Sequence, residues 1–130
     1  MAFSVKTLDK RQIVDITDRV QSELSKAGLS DGVAVLTVLH TTAALTTADL
    51  DPGTDEDFLD FLQAITPMVY WRHPHDPAHT PDHILASLIG PSISLEVQDG
   101  RPVLGSWQRI VLVELDGPRD RSISLVVLSS

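Results

Sequence analysis

The chain has 130 residues and a mass of 14.2 kDa, a size at which one domain with one sizeable core is the usual outcome. Its 10 Lys and Arg against 18 Asp and Glu give a formal net charge of -8, which argues against nucleic acid or an anionic membrane as the main partner. The absence of cysteine excludes disulfides, thiolate metal sites and cysteine nucleophiles.

The N-terminal residues Met1–Asp9 are polar where a signal peptide needs an apolar run. No segment reaches the roughly 20 apolar residues of a membrane span. We therefore expect a cytoplasmic protein that does not associate with membranes.

The first part of the chain predicts two strands, a helix and a third strand. Alternating side chains in Ala2–Leu8 and a short apolar run in Gln12–Ile16 favour extended structure. Asp18 is expected to cap a helix that ends at Gly28. The β-branched run Val33–Leu39 predicts a central strand covered on both faces.

The middle of the chain predicts two further helices. Thr54 is expected to cap the first, which ends before Pro67, and the second begins at Thr80 and ends at Gly90. Both carry apolar side chains at helical spacing, which we expect to face the core. These side chains are Phe58, Phe61, Leu62 and Ile65 in the first helix and Ile84, Leu85 and Leu88 in the second.

The C-terminal part of the chain predicts strands. Ile93–Gln98 alternates, the pair Asp99-Gly100 is a strong hairpin signal, and apolar strands follow over Gln108–Asp116 and Ser122–Leu128. The sequence contains neither a repeat nor a linker. It therefore predicts one α+β domain over residues 1–130, with mostly antiparallel sheets and about three helices.

Four of the five histidines lie close together, at His73, His75, His79 and His83. Imidazoles gathered in a proline-rich loop serve as metal ligands, as general acids or bases, or as a solvated polar loop. His40 follows the predicted central strand, where its ring is either a site residue or a hydrogen-bonded core histidine. The clustering therefore indicates a site without deciding its chemistry.

Glu114 lies on a strand with two apolar faces, so we expect it to be buried at least in part. A buried carboxylate either has a raised pKa suited to acid–base work or forms an ion pair. Arg109, Arg119 and Arg121 are the cations available for that pair. Arg119, at a turn, either binds phosphate or lies in solvent.

Three segments of the chain resemble the YjbQ-like family in order and spacing: His40–Thr46, Asp82–Ser92, and Leu104–Gln108 continued by Glu114–Arg119. Members of that family are small α+β proteins that assemble as trimers, and they are often described as secondary thiamine-phosphate synthases. The resemblance therefore implies a fold, a homotrimer and a reaction.

The resemblance also implies a set of site residues. A divalent ion, zinc, manganese or magnesium, is expected on three histidines, with catalytic groups and substrate-binding groups around it. The implied residues are His40, His73 and His83 for the metal, His40, Glu114 and Arg119 for catalysis, and Thr41, Thr42, Trp107 and Gln108 for the substrate.

The implied reaction joins a pyrimidine pyrophosphate to a thiazole phosphate and releases pyrophosphate, so the expected partner is a small phosphorylated substrate. The alternatives are a metal-dependent hydrolase of another small metabolite and a non-catalytic trimeric protein that binds a metal or ligand. A trimer is also favoured by the apolar strands Ile110–Val113 and Leu125–Leu128, which three short helices are not expected to cover.

Overall fold

The computed structural model describes all 130 residues, which form eight strands, three α-helices and a short 3₁₀ helix over Pro77–His79. The helices are α1 (Thr17–Ala27), α2 (Thr54–Ala64) and α3 (Thr80–Ile89). The strands are β1 (Ala2–Lys6), β2 (Gln12–Asp15), β3 (Gly32–Val38), β4 (Ala43–Ala48), β5 (Ser92–Gln98), β6 (Arg101–Pro102), β7 (Arg109–Glu114) and β8 (Asp120–Ser129).

The strands form two sheets in which every pairing is antiparallel. The larger sheet has five strands in the order β1-β8-β3-β5-β6, and the smaller has three in the order β2-β7-β4. This arrangement confirms the predicted α+β domain with three helices and antiparallel sheets.

The smaller sheet is the middle layer of the molecule. One apolar cluster, to which α1 also contributes, joins it to the five-stranded sheet and includes Leu36, Leu112 and Ile123. A second cluster joins its other face to α2 and α3 and includes Leu62, Leu85 and Val113. The chain therefore stacks a large sheet, a small sheet and a pair of helices.

Strand β7 is buried on both faces because it is the central strand of that middle layer. Ile110 and Leu112 contact the first cluster, and Val111 and Val113 contact the second. The expectation that Ile110–Val113 needs a neighbouring subunit to cover it was wrong, since the chain itself supplies both covers.

Strand β3 is covered on one face only, contrary to the sequence prediction. Ala34, Leu36 and Val38 are buried, whereas Val33 on the other face is 40% exposed. Val126 and Leu128 of the neighbouring β8 lie on the same outer face and are also exposed. The physical reason is that the five-stranded sheet is an outer layer of the molecule. Its strands carry apolar residues on both faces, but the rest of the chain packs on only one of them.

The helices differ in detail from their predicted starts and faces. Helix α1 begins at Thr17 with Ile16 as its N-cap, so the expected cap, Asp18, lies inside the helix. The Thr17 N–H and hydroxyl donate to Asp15 Oδ1 at 3.0 and 2.7 Å, so Asp15 satisfies the first N–H of the helix. Phe61 and Leu88 were predicted to face the core but are 66% and 71% exposed. None of the helices combines the length and the apolar composition that crossing a membrane requires.

Strand β4 was not predicted, because Ala43–Ala48 carries small and hydroxylated residues without a clear alternation. It nevertheless pairs with β7 over its whole length, from Ala43 opposite Glu114 to Ala48 opposite Arg109. This pairing places the connection between β3 and β4 directly beside the end of β7.

The chain passes between the two sheets at one end of the molecule in three connections, which we call the crossover loops. They are residues 7–11 between β1 and β2, residues 39–42 between β3 and β4, and residues 115–119 between β7 and β8. Gly117 N–H donates to Lys10 O at 2.9 Å, and Leu115 N–H donates to Thr42 O at 3.1 Å. The crossover loops are therefore packed against one another.

The layered core gives a first prediction. Replacing Leu112, which is fully buried, by alanine is expected to lower the free energy of unfolding by about 2 to 5 kcal/mol, because the lost contacts leave a cavity that the sheets cannot close. Urea unfolding measures this. The matched control Leu8→Ala, at a position 70% exposed, is expected to cost less than about 0.5 kcal/mol, and equal losses in both variants would contradict the layer assignment.

Candidate functional site

A cavity of about 690 Å³ lies at the crossover loops. A neighbouring cavity of about 310 Å³ shares His40, Thr41 and His83 with it, and we call the two adjoining cavities together the crossover cavity. The residues around the larger part are Leu39, His40, Thr41, Thr42, His79, His83, Asp116, Arg119, Asp120 and Arg121.

His40 is held in one orientation by the backbone of β8. The Ser122 N–H donates to His40 Nε2 at 2.9 Å, and the Leu39 N–H donates to Ser122 O at 3.0 Å. Because Nε2 accepts a hydrogen bond, the proton of the neutral ring lies on Nδ1. His40 therefore presents an N–H donor, and Nδ1 has no acceptor within the chain.

Burial lowers the pKa of His40 below its ordinary value of 6.5, and the positive charges of Arg121 and Arg119 act in the same direction. Glu114 opposes this shift without overcoming it. The ring is therefore neutral near neutral pH, which matches its single free N–H.

Glu114 and Arg121 form a buried ion pair under the crossover loops, with side chains 0% and 2% exposed. Arg121 Nε lies 2.9 Å from Glu114 Oε1, and Nη2 of the same guanidinium also contacts the carboxylate. That Nη2 further donates to Thr42 Oγ1 at 2.8 Å. The pair therefore ties the end of β7 to the start of β8 and to the β3–β4 loop.

The remaining lone pairs of Glu114 are also used. Thr7 Oγ1 donates to Oε1 at 2.6 Å, and the Asp116 N–H donates to Oε2 at 3.2 Å. Burial by itself raises the pKa of Glu114, but the hydrogen bonds from Arg121 and Thr7 outweigh it and hold the pKa below 4.5. Of the two readings of Glu114, the structure therefore shows the ion pair, and the carboxylate does not line the crossover cavity.

Arg119 is oriented by Asp116. Its Nε donates to Asp116 O at 2.8 Å and its Nη2 to Asp116 Oδ2 at 3.1 Å, which leaves Nη1 without a partner in the chain. Burial raises the pKa of Asp116, yet hydrogen bonds from Lys10 and Arg119 hold it below its ordinary value of 3.8. Asp116 is therefore a fixed carboxylate that aims the guanidinium at the cavity edge.

The β3–β4 loop adds further donors. Thr41 is exposed at the cavity, and Thr42 Oγ1 accepts from Arg121, so its own hydroxyl proton is free to donate. The backbone N–H groups of His40, Thr41 and Thr42 donate no hydrogen bond within the chain. Short loops with successive free N–H groups are suited to anions.

Only some of the other predicted histidines line the crossover cavity. His79 and His83 line the crossover cavity, whereas His73 stacks on His83 with ring centroids 4.9 Å apart and planes 16° from parallel. Parallel rings aim their in-plane lone pairs side by side rather than at one point about 2 Å from both, the Zn–N distance in proteins. His75 lies edge-on to His73, outside the cavity.

The structure does not assemble the predicted metal ligands. No three His, Asp or Glu side chains of the chain are arranged to hold a metal ion, and the one nitrogen of His40 that lacks a proton already accepts from Ser122. The expected set of His40, His73 and His83 therefore does not fit a metal as this chain places it. Binding of a divalent ion stays a prediction.

Trp107 and Gln108 lie at the opposite end of β7 from Glu114. Gln108 Oε1 accepts from the Gly105 N–H at 2.7 Å, and Trp107 is 70% exposed. At about 3.3 Å per residue, the strand places them on the order of 17 Å from the crossover loops. The structure therefore does not bring these two predicted substrate-binding residues into the crossover cavity of the same chain.

Some residues of the site escaped the sequence reasoning. Thr7 and Lys10 contact Glu114 and Asp116 from the β1–β2 loop, more than 100 positions away in the chain. Arg121 was named only as one of three cations for Glu114. The signal that selects it is strand alternation, since Arg121, Ile123 and Leu125 face inward on β8.

The buried pair gives a second prediction. Glu114→Gln leaves the Arg121 guanidinium buried without its counter-charge, so we expect the free energy of unfolding near neutral pH to fall by about 3 to 5 kcal/mol. Because the folded-state pKa of Glu114 lies below 4.5, its stabilisation is present above that pH and is lost as the pH falls through the folded value.

Urea unfolding over a pH series measures both effects. The difference in the free energy of unfolding between wild type and Glu114→Gln is expected to become smaller as the pH falls. Glu96→Gln, on the exposed side of β5, is the matched control and is expected to change little. A Glu114→Gln protein as stable as this control would show that the pair is not a fixed part of the fold.

Comparison with known proteins places this arrangement in a family. The model of the family described as "UPF0047 protein YjbQ-like" matches residues 1–130. A UPF0047 protein of Methanocaldococcus jannaschii is 36% identical over 127 residues, covering 97% of this chain and 91% of that protein. The UPF0047 protein YugU of Bacillus subtilis is 34% identical over 121 residues and covers 92% of both.

Solved structures agree with the fold. A hypothetical protein from Aeropyrum pernix superimposes with a TM-score of 0.91 at 37% identity, covering 100% of this chain and 98% of the other. An uncharacterised conserved protein of the YjbQ/UPF0047 family from Clostridium acetobutylicum gives a TM-score of 0.88 at 36% identity, covering 98% and 99%.

The expected thiamine-phosphate synthase activity and the metal-assisted chemistry were wrong. These relatives and structures carry names that assign no reaction, and a similar structure from Sulfolobus solfataricus is described as a protein of unknown function. Nothing in them supports a transferase. What the whole-chain match does establish is that the chain belongs to the UPF0047, YjbQ-like family.

Proposed function

We propose that the protein binds the oxyanion group, phosphate or carboxylate, of a small metabolite in the crossover cavity. Donors from two crossover loops border this cavity: the His40 ring with Thr41 and Thr42 on the β3–β4 loop, and the Arg119 guanidinium on the β7–β8 loop. The larger part of the cavity, at about 690 Å³, has the size of small-molecule sites in proteins.

One observation carries this proposal. The hydrogen bond from the Ser122 N–H to His40 Nε2 makes the neutral imidazole an obligatory Nδ1–H donor, in a cavity that otherwise contains an unpaired guanidinium nitrogen. A neutral donor beside a cation favours an anion without needing a metal or a protonated histidine.

The charges around the cavity permit a single anionic group. Asp116 is neutralised by Lys10 and Arg119, and Glu114 by Arg121, so neither carboxylate repels a ligand as an isolated charge would. Asp120, at the rim, is exposed and screened by water. We therefore expect affinity for one oxyanion group per cavity.

Titration of the isotopically labelled protein with inorganic phosphate and with acetate tests the proposal. We expect saturable NMR shifts of the His40, Thr41 and Thr42 amides with dissociation constants in the millimolar range. Arg119→Gln is expected to weaken binding about tenfold, because a charge-assisted hydrogen bond is lost.

Arg101→Gln is the matched control, since Arg101 is exposed on β6 and does not line the cavity. It is expected to leave the dissociation constants unchanged. Absence of saturable shifts at the β3–β4 loop, or equal weakening by both substitutions, would exclude an oxyanion site at this cavity.

We also propose that the chain assembles as a homotrimer through the outer face of its five-stranded sheet. Val33, Val126 and Leu128 form an exposed apolar group on that face, and neighbouring strands β3 and β8 carry them side by side. Contiguous apolar surface of this kind marks protein interfaces. Leu125–Leu128 supports this assembly, whereas Ile110–Val113 does not, because the chain itself covers both of its faces.

Light scattering at micromolar concentration tests the assembly. We expect a mass three times the chain mass of 14.2 kDa, and a smaller mass for Val126→Lys, which places a charge in the apolar group. Leu8→Lys, at an exposed position outside that face, is expected to leave the mass unchanged. A monomeric wild type would disprove the homotrimer.

A further inference from the structure

A second cavity, of about 560 Å³, lies away from the crossover cavity and shares no lining residue with it. It is formed by the β1–β2 loop, the C-terminal end of α2, the segment that follows α2, and the start of α3. Arg11, Gln63, Thr66, Trp71 and Pro81 border it. We call it the Arg11 groove.

Arg11 has one guanidinium nitrogen without a partner. Its Nη2 donates to Asp82 Oδ1 at 2.7 Å, whereas its Nη1 is buried and makes no hydrogen bond in the chain. A buried donor left unsatisfied is costly, so such a group points to an acceptor that is not part of the chain.

The chain neutralises the charge of Arg11 only in part. Asp82 is shared between Arg11 and Lys10, and Lys10 also reaches Asp116, which in turn pairs with Arg119. Asp82 is the one carboxylate that Arg11 contacts, so Arg11 has only a share of its negative charge. A ligand carboxylate at Arg11 would complete the neutralisation of its charge.

The other end of the Arg11 groove is apolar. A smaller cavity of about 230 Å³ continues it, sharing Thr66, Pro67, Trp71 and Pro81. Ile84 and Leu88 of α3 border this end and are 44% and 71% exposed. Trp71 borders both cavities, so the apolar part of a ligand beside it would lie between the charged end and the apolar end of the groove.

We propose that the Arg11 groove binds a small monocarboxylate with an apolar, aromatic or branched body. The carboxylate accepts from Arg11 Nη1 and the Gln63 amide, and the body packs on Trp71 and toward Leu88. A dianionic phosphate fits less well, because few donors are free: the Thr66 hydroxyl already donates to Leu62 O at 2.7 Å.

The test uses phenylpropionate as the probe and phenylpropanamide, which has the same body without the charge, as its neutral match. The chain has two tryptophans, so the Trp71 indole N–H resonance reports on the groove and that of Trp107 serves as an internal reference. We expect phenylpropionate to shift the Trp71 signal saturably, with phenylpropanamide binding about tenfold more weakly.

Arg11→Lys is the decisive variant. Lysine keeps the charge, and its single ammonium replaces the nitrogen that donates to Asp82, but it has no second nitrogen to take the place of Nη1. We expect the variant to remain folded and to bind phenylpropionate about tenfold more weakly. Arg101→Gln, which removes an exposed cation elsewhere, is expected to leave the affinity unchanged.

The outcomes are separate from those of the crossover cavity, whose reporters are the His40 and Thr41 amides. A Trp71 signal that does not respond, equal affinity for acid and amide, or unchanged affinity in Arg11→Lys overturns the proposal. So does a Trp71 shift that depends on protein concentration alone, because it would show that a second copy of the chain occupies the groove.

Discussion

The buried contact between Glu114 and Arg121 constrains everything at the functional end of the molecule. Two charges removed from water remain charged only when each finds the other in good geometry with its remaining hydrogen bonds satisfied. Here Thr7 and the Asp116 N–H complete the carboxylate, and Thr42 completes the guanidinium. Because these partners lie on all three crossover loops, the requirement to satisfy one ion pair sets the relative position of the loops.

The chemistry of the cavity follows from that constraint. Once Thr42 and the start of β8 are fixed, the Ser122 N–H meets His40 Nε2, and the imidazole proton must lie on Nδ1. Asp116, two residues after Glu114 in the β7–β8 loop, then orients Arg119. The backbone thus determines the tautomer of the histidine and the direction of the guanidinium, so a donor set is present before a ligand arrives.

Short-range signals predicted the elements well and their surroundings less well. The alternation in Ser92–Gln98 with its Asp99-Gly100 turn is a local pattern, and the structure follows it. A local pattern does not reveal whether Val33–Leu39 is covered on one face or two, because this depends on which sheet is the outer layer. Strand β4 was missed for the same reason: its small residues form a strand because β7 lies beside it.

The site shows the same division. The position of His40 after a strand and the burial of Glu114 were predictable from residue patterns. Strand alternation also indicates that Arg121 faces inward with Ile123 and Leu125, but its contact with Glu114 was not predictable, since it depends on β8 turning back antiparallel to β1 and β3. The lone pair of His40 is used by a backbone N–H 82 positions away, and residue types alone do not reveal such a contact.

Gly117 has a consequence for how the protein tolerates change. A Cβ at this position would lie 2.3 Å from Asp9 O and 2.9 Å from Glu114 Cγ, so even alanine does not fit without a backbone shift. Loops usually accept insertions and substitutions freely. At Gly117 the crossover loops instead leave no room for a side chain, so natural or engineered changes in the length of these loops are expected to be rare.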